Sequence, residues 1–274
     1  HERPSVFCGV PTLFSAILAH PDVVAGKVDF RSVKGAFSGA AALLAETKKR
    51  FEDITGGRII EAYSLTEATL AACINPYRGV NKIGSVGMPL PDVDVRIVDG
   101  DSGTRELAAG QVGEIVIRAP QLMQRYWNNP EETEMVLHRD ADGSPALFTG
   151  DLGYLDEDGY LFIVDRKKDL IKTSGNQVWP REIEEVIATH PMVVDVGVAG
   201  VPDPRRGEAV MAWLVVRGNG SISLGELRDF CHDKLAPYKI PSRIEIRKEL
   251  PKTMVGKVLR RSLVADEKAH MAEA

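Results

Sequence analysis

The sequence predicts a mixed α/β and α+β protein: the end of a parallel α/β subdomain, a small antiparallel β-barrel subdomain, and a compact α+β carboxy-terminal lobe. Three observations support this. Residues 1–78 alternate strand and helix patterns, residues 79–167 carry alternating strands between short turns, and residues 168–274 mix amphipathic helices with strands. We therefore expect a large domain over 1–167 and a small mobile lobe over 168–274.

The first segment alternates strands with helices. Pro11 opens one predicted helix, and the pair Gly56-Gly57 ends the next. This order is typical of a parallel sheet, whose strands bind ligands at their carboxyl ends. The predicted elements are a strand over 5–10, a helix over 11–20, a strand over 33–37, a helix over 44–55 and a strand over 58–63.

The second segment changes to alternation with a period of two residues. Val93, Val95 and Ile97 alternate with charged residues, and residues 114–118 repeat the pattern. A hairpin is expected at Asp158-Gly159, followed by a strand from Leu161. Such segments, separated by turns rich in Gly, Pro and Asp, predict an antiparallel sheet or a small barrel.

The third segment combines both periodicities. Pro180 stands at the first turn of a predicted helix, and Ser223 with Glu226 forms a capping box at the start of another. The helices and strands together predict an independent lobe. The predicted elements are a helix from 180, strands over 193–201 and 210–216, a helix over 224–235 and a strand over 243–247.

The composition excludes several classes of protein. With 44% hydrophobic and 27% charged residues, the 274-residue chain has the content of a globular protein. Its net charge of −5 gives no reason to expect nucleic acid as a partner. No apolar run reaches the roughly 18 residues that a membrane span needs. The separated cysteines Cys8, Cys73 and Cys231 lack a CxxC spacing, which predicts reduced thiols in a cytoplasmic protein.

The chain opens at His1 without a methionine, and an apolar strand pattern begins at once. A domain rarely starts so abruptly. We therefore expect this to be the carboxy-terminal piece of a longer protein.

Tyr63, Thr66 and Glu67 follow a predicted parallel strand, where open α/β sheets bind ligands. A tyrosine ring offers a face to a nucleobase, a threonine hydroxyl can contact a phosphate, and a carboxylate can hold Mg²⁺ beside it. The alternative is a plain strand-to-helix turn with Thr66 as its N-cap, which the spacing alone favours equally.

Asp151 stands in a Thr-Gly-Asp turn, and its two carboxylate oxygens suit the two hydroxyls of a ribose. Arg166 could add donors to the same sugar or to a phosphate. Taken singly, each has a simpler interpretation: a turn aspartate and a solvated surface arginine.

Lys172 and Lys257 lie in or beside loops that contain Gly, Ser and Thr, from which a long cation can reach a phosphate or a carboxylate. For any single lysine the alternative is an ordinary surface residue. Neither loop has Walker A spacing. The six histidines show no metal-binding spacing, and no GxSxG motif is present, so a metalloenzyme or triad hydrolase is not supported.

Four motifs occur in a fixed order: YSLTE at 63–67, TGDLGYLDEDGYLFIVDRKKDLIK at 149–172, SGNQVWPREIE at 174–184 and PKTMVGKVLRR at 251–261. In this combination the chain resembles the adenylate-forming superfamily. Within it, the IKTSG run and the PKT-x-x-GK-x-LRR ending are most similar to long-chain fatty acid–CoA ligases (acyl-CoA synthetases). The resemblance covers essentially the whole chain.

The resemblance implies a fatty acid, ATP and CoA as substrates, with Mg²⁺. Tyr63 would stack on adenine, Asp151 would bind the ribose, and Glu67 would hold Mg²⁺. Lys257 would bridge the carboxylate and the α-phosphate, and Lys172 would serve the thioester step. Implied binding positions are Ser38, Gly39, Ala40, Tyr63, Thr66, Asp151, Ile163, Arg166, Ser174 and Gly175, with Lys168 as the hinge and Arg205 and Arg206 as weaker contacts for CoA phosphates.

One family feature is absent from the sequence. The TSGTTG-type phosphate loop does not occur, so we expect the chain alone to be inactive and to need a missing amino-terminal half. Two alternatives stay open: an adenylating enzyme with another carboxylate or a carrier-protein acceptor, and a non-catalytic nucleotide-binding fragment. The sequence also leaves room for a homodimer.

Overall fold

The computed structural model describes residues 3–41, 43–69, 71–99, 103, 105–140, 142–218, 220–253 and 256–273. By its internal contacts the chain divides into two compact units, His1–Ile163 and Val164–Ala274. The predicted boundary between residues 167 and 168 stays a prediction. Each unit is described by itself.

The first unit begins with a five-stranded sheet in the order β1-β2-β3-β4-β5. The pairs β1–β2 and β2–β3 are parallel, which confirms the predicted α/β arrangement, whereas β4 and β5 continue the sheet in antiparallel fashion. The strands are β1 (Val6–Gly9), β2 (Gly35–Ser38), β3 (Arg58–Ser64), β4 (Ala71–Ile74) and β5 (Met88–Pro89).

Helices α1 (Pro11–Ala19) and α3 (Ala45–Thr55) pack on this sheet, and the short α2 (Pro21–Val24) follows α1. Phe14 of α1 and Phe51 of α3 are fully buried and meet edge to face, with ring centroids 5.1 Å apart. This aromatic contact fixes the helices over β2 and β3, so the carboxyl ends of these strands are held in place.

The second sheet has the order β10-β9-β7-β6, with β8 paired to β9. In the described part of the chain this sheet is open, so the predicted antiparallel segment is confirmed but the closed barrel is not. The elements are β6 (Asp94–Val98), β7 (Gly113–Arg118), α4 (Pro130–Val136), β8 (Leu137–Arg139), β9 (Pro145–Leu155) and β10 (Leu161–Arg166).

The second unit is a five-stranded sheet with helices, as the α+β prediction requires. Helix α5 packs on one face through Ile183 and Ile187, and Leu263 of α7 lies in the cluster around Trp213. The elements are β11 (Ile171–Thr173), β12 (Asn176–Val178), α5 (Pro180–Ala188), β13 (Val193–Asp203), β14 (Gly207–Val216), α6 (Leu224–His232), β15 (Arg243–Ile246) and α7 (Arg260–Glu273).

The structure confirms two helix ends that local sequence signals predicted. Gly56 ends α3 in the left-handed conformation at φ 67°, and Ser223 and Glu226 form the capping box of α6. Strand β4 and helix α7 were not expected. No helix in the described ranges is both long and apolar enough to cross a membrane.

Candidate active site

Tyr63 and Asp151 meet at the centre of the candidate site in the first unit. The Tyr63 hydroxyl donates a hydrogen bond to Asp151 Oδ2 over 2.6 Å. Tyr63 is near the carboxyl end of β3 and only 7% exposed, and Asp151 is half-buried in β9. A nucleobase-stacking ring and a ribose-binding carboxylate, predicted separately, are therefore in direct contact.

The turn before Asp151 is built by hydrogen bonds from neighbouring side chains. The Asp151 amide donates to Thr149 Oγ1 over 3.1 Å, and that hydroxyl donates to the Ile115 carbonyl over 2.8 Å. The Gly150 amide donates to Glu114 Oε1 over 3.2 Å, and Gly150 has a φ of 69°. Glycine adopts this left-handed conformation without the penalty that a Cβ brings, which explains the Thr-Gly-Asp order.

Burial and the Asp151 carboxylate together raise the pKa of Tyr63 well above its usual value. Burial disfavours the phenolate, and the adjacent negative charge repels it further. Tyr63 therefore remains a hydrogen-bond donor across the physiological pH range.

Glu67 has a partner that the sequence did not indicate. It lies in a 3₁₀ turn, Thr66–Ala68, where its carbonyl accepts the Met123 amide over 2.7 Å. The Tyr126 hydroxyl donates to Glu67 Oε1 over 2.6 Å. Burial and this hydrogen bond raise the pKa of Tyr126 to about 12. The loop after β7 thus fixes the orientation of the Glu67 carboxylate.

Ser38 is the last residue of β2, and Gly39 and Ala40 form the turn that follows it. Ser38 pairs in register with Glu61 and is 2% exposed. Ala40 has a φ of 68°, an uncommon conformation for a residue with a Cβ. The structure places this turn at the carboxyl edge of the parallel strands, the position expected for a ligand-lining turn.

In the second unit, Lys172 and the Ser174-Gly175 pair share one hairpin between β11 and β12. Ser174 and Gly175 have φ values of 50° and 80°, as the tight turn of a two-residue hairpin requires. The Lys172 amide donates to Glu208 Oε2 over 2.6 Å, while its side chain is exposed. The hairpin therefore presents a lysine on a fixed backbone.

Lys257 follows a second tight turn. Its amide donates to Thr253 Oγ1 over 3.1 Å, and Gly256 has a φ of 80°. Lys257 is half-buried, whereas the neighbouring Lys252 is exposed and forms an ion pair with Asp195 at 2.6 Å. Met254 and Val255, also in this loop, lie outside the described residues.

Ile163, Arg166 and Lys168 lie along and just after β10. Ile163 is half-buried, Arg166 is exposed at the strand end, and Lys168 is exposed in the 3₁₀ turn Lys167–Asp169. The predicted hinge thus coincides with a short turn between strands.

Arg205 and Arg206 line a surface cavity of about 380 Å³ together with Arg243.

The turn at residues 84–87, which contains Gly84 and Gly87, has a structural role. Ser85 Oγ donates to the Leu161 carbonyl over 2.8 Å, and the Gly87 amide donates to Ser85 Oγ over 2.9 Å. A Cβ on Gly87 would come within 1.9 Å of the Ile74 carbonyl carbon. This turn therefore joins two segments of backbone.

The structure joins Tyr63 to Asp151 and gathers Lys172, Ser174 and Gly175 on one hairpin. Sequence reasoning missed Tyr126, because 59 residues separate it from Glu67 and no local pattern links them. It missed Arg260 as well, although this residue stands within the PKTMVGKVLRR motif. The Arg260 guanidinium has three carboxylate partners.

Two models of one enzyme family match this chain. The model described as "AMP-binding enzyme" matches residues 1–127, and the model of the "AMP-binding enzyme C-terminal domain" matches residues 182–257. The chain belongs to the family of AMP-binding enzymes, and the resemblance to the adenylate-forming superfamily is confirmed.

Individual relatives narrow this likeness. The chain is 46% identical over 267 residues to the long-chain-fatty-acid–CoA ligase of Bacillus subtilis. The matched region covers 97% of this chain and 46% of the relative. Among solved structures it is similar to ATP-bound MatB from Rhodopseudomonas palustris, with a TM-score of 0.88 and 34% identity, covering 97% of this chain and 51% of that one. It also resembles the anthranilate CoA ligase AuaEII in complex with anthranoyl-AMP, with a TM-score of 0.85 and 31% identity over 98% of this chain and 51% of that one. The chain spans about half the length of the curated relatives it matches.

Proposed function

We propose that this chain forms part of a long-chain fatty acid–CoA ligase, which activates a fatty acid with ATP to an acyl-adenylate and transfers the acyl group to CoA. The observation that carries the proposal is the contact between Tyr63 and Asp151, whose chemistry suits adenosine. The 46% identity to a long-chain-fatty-acid–CoA ligase favours a fatty acid over other carboxylates.

In the first half-reaction, a fatty carboxylate oxygen attacks the α-phosphorus of ATP, the bond to the β-phosphate oxygen breaks, and pyrophosphate leaves. Asp151 would accept hydrogen bonds from the ribose hydroxyls, and the Tyr63 ring would stack on adenine. Lys257 would neutralise the negative charge that accumulates between the carboxylate and the α-phosphate.

The residues around Glu67 suit Mg²⁺ bound chiefly through a substrate. No group of three or more His, Cys, Asp or Glu side chains in the described ranges is arranged to hold a metal ion. One oriented carboxylate beside the exposed Thr66 hydroxyl fits an ion that keeps most of its waters and binds phosphates. When bound, Mg²⁺ would offset the charge of the leaving pyrophosphate.

In the second half-reaction, the CoA thiolate attacks the acyl carbonyl carbon, and AMP leaves with the electron pair of the broken acyl–oxygen bond. The Lys172 hairpin, with Ser174 and Gly175, would serve this step, and a rotation at Lys168 would exchange it with Lys257. Arg205 and Arg206 remain proposed contacts for the CoA phosphates.

The test is a chimaera in which this chain replaces the matching region of the Bacillus subtilis ligase. We expect palmitate-dependent ATP–pyrophosphate exchange and palmitoyl-CoA formation by the chimaera, and little exchange by the chain alone. Lys257→Ala should lower exchange at least about 100-fold, on the scale of losing an electrostatic contact to the transition state. Lys172→Ala should keep exchange and lose thioester formation.

Lys252→Ala is the matched control, because this lysine lies in the same loop as Lys257 and is held by Asp195. It should retain exchange. A folded chimaera that adenylates aryl acids but not palmitate would favour the other-carboxylate alternative. A folded chimaera without exchange for any carboxylate would refute the ligase proposal.

A further inference from the structure

Arg260, at the start of α7, has three carboxylate partners within the second unit. Its guanidinium forms two parallel hydrogen bonds with Glu184, at 2.7 and 3.1 Å. It also donates to Asp165 Oδ1 over 3.2 Å and to Asp169 Oδ2 over 2.9 Å. The Arg260 side chain is only 16% exposed, so these bonds form with little competition from water.

Two of these partners enclose the predicted hinge. Asp165 is the next-to-last residue of β10, and Asp169 is the last residue of the turn, so Arg260 bridges the backbone on both sides of Lys168. The three basic residues between them, Arg166, Lys167 and Lys168, are exposed. One guanidinium therefore fixes the distance between the two ends of the turn.

Asp165 is anchored more firmly than an ordinary turn residue. It is 5% exposed, and its Oδ1 accepts the Arg166 amide over 2.8 Å. Its Oδ2 accepts the Arg181 amide in the first turn of α5, also over 2.8 Å, which is a favourable position for a negative charge. Asp165 consequently cannot follow a moving turn without leaving buried donors unpaired.

We propose that Arg260 is a positioning residue that locks the 165–169 turn in one conformation. A change in backbone dihedrals at Lys168 moves Asp169 relative to Asp165. Such a rotation must therefore break the Arg260–Asp165 or the Arg260–Asp169 ion pair. The local ordering of the turn is independent of any activity, whereas its use in catalysis rests on the proposed ligase function.

Breaking one of these two ion pairs leaves a buried charge only partly compensated, which opposes spontaneous opening of the turn. Glu184 keeps its two hydrogen bonds to Arg260 whichever aspartate contact breaks, since it lies on α5 outside the turn. The arrangement therefore confines the free-energy cost of opening to the two aspartate contacts on either side of Lys168.

Limited trypsin digestion of the 274-residue chain tests this proposal, with cleavage after Arg166, Lys167 and Lys168 followed by mass spectrometry. We expect Arg260→Met to increase the rate of cleavage in this turn about 10-fold, because proteolysis reports the population of the open turn. Cleavage at distant sites should keep its wild-type rate. Asp169→Asn, which removes only the ion pair between Arg260 and Asp169, should give an intermediate increase in the rate of cleavage.

Arg261→Met is the matched control, since Arg261 is the next residue of α7 and is exposed. It should be cleaved in the turn at the wild-type rate. A wild-type rate in both Arg260→Met and Asp169→Asn would overturn the proposal. So would an equal acceleration at all sites in both variants, which would indicate a general loss of stability. The result does not depend on ligase activity, so it is separable from a failure of the proposed function.

Discussion

We expect the hydrogen bond between Tyr63 and Asp151 to make a measurable contribution to stability, and we expect this contribution to depend on pH. Removing the hydroxyl with Tyr63→Phe keeps the ring and its packing but deletes the 2.6 Å bond. A hydrogen bond to a charged group contributes about 1.5–3 kcal/mol. Because Asp151 is only half-buried, water can replace the lost donor in part. We expect a loss of about 1.5 kcal/mol in the free energy of unfolding.

Urea unfolding of the wild type, Tyr63→Phe, Asp151→Ala and the double variant gives the coupling energy between the two side chains directly. We expect a coupling of about 1.5 kcal/mol, within the range for residues that share a hydrogen bond. Tyr77→Phe is the control, because the Tyr77 hydroxyl is 3.4 Å from its acceptor and the residue is 45% exposed. Its effect should stay below about 0.5 kcal/mol, as for most surface substitutions. A Tyr63–Asp151 coupling that small would refute the reasoning.

The pH dependence provides a second measurement of the same bond. The pKa of Tyr63 is raised in the folded chain, whereas in the unfolded chain tyrosine titrates near about 10. The stability that the protonated hydroxyl provides is therefore complete below about pH 10 and falls as the pH rises further. Each such proton contributes a slope of about 1.4 kcal/mol per pH unit. In Tyr63→Phe this contribution is absent, so the free energy of unfolding should fall less steeply above pH 10, by about 1.4 kcal/mol per pH unit.

Two further predictions concern packing and thiol reactivity. Gly87→Ala should cost at least about 3 kcal/mol in urea unfolding, because its Cβ meets backbone at 1.9 Å, whereas Gly84→Ala, with similar φ and open space, should cost about 1 kcal/mol; equal losses would contradict this. Burial raises the pKa of Cys73 to about 12 and that of Cys231 above its usual value, so at pH 8 about 10⁻⁴ of Cys73 is thiolate. A thiol-specific reagent should label only the exposed Cys8 rapidly in the native chain and all three cysteines in urea; fast native labelling of Cys73 would show the prediction to be wrong.

Local sequence signals predicted much of the fold because their physical causes are local. The Ser223–Glu226 capping box and the left-handed Gly56 satisfy helix ends within a few residues of themselves. The barrel form of the second segment was not confirmed, since the sheet is open in the residues that the structure describes. Strand alternation specifies a two-faced sheet but not whether its edges meet. Strand β4 was missed because four small and apolar residues carry too little pattern.

The motifs marked Tyr63 and Asp151 as candidate site residues but gave no distance between them. Those residues are 88 positions apart, and only the packing of two sheets brings them together. Tyr126 lies in a loop with no distinctive pattern, so its bond to Glu67 could not be foreseen. The roles of Lys172, Lys257 and Lys168 stay predictions of the family resemblance.

The crossing of Gly87 over Ile74 and Asn75 has a consequence for how sequences of this family are compared. A position where backbone touches backbone tolerates no side chain, so natural variation at Gly87 should be as restricted as at a residue that contacts substrate. An invariant column in an alignment would then record steric exclusion instead of chemistry. In this chain Gly87 is a case of steric exclusion, because a Cβ there would meet the protein's own backbone. Asp151 is a case where chemistry sets the residue type, because its half-buried carboxylate accepts a hydrogen bond from the Tyr63 hydroxyl.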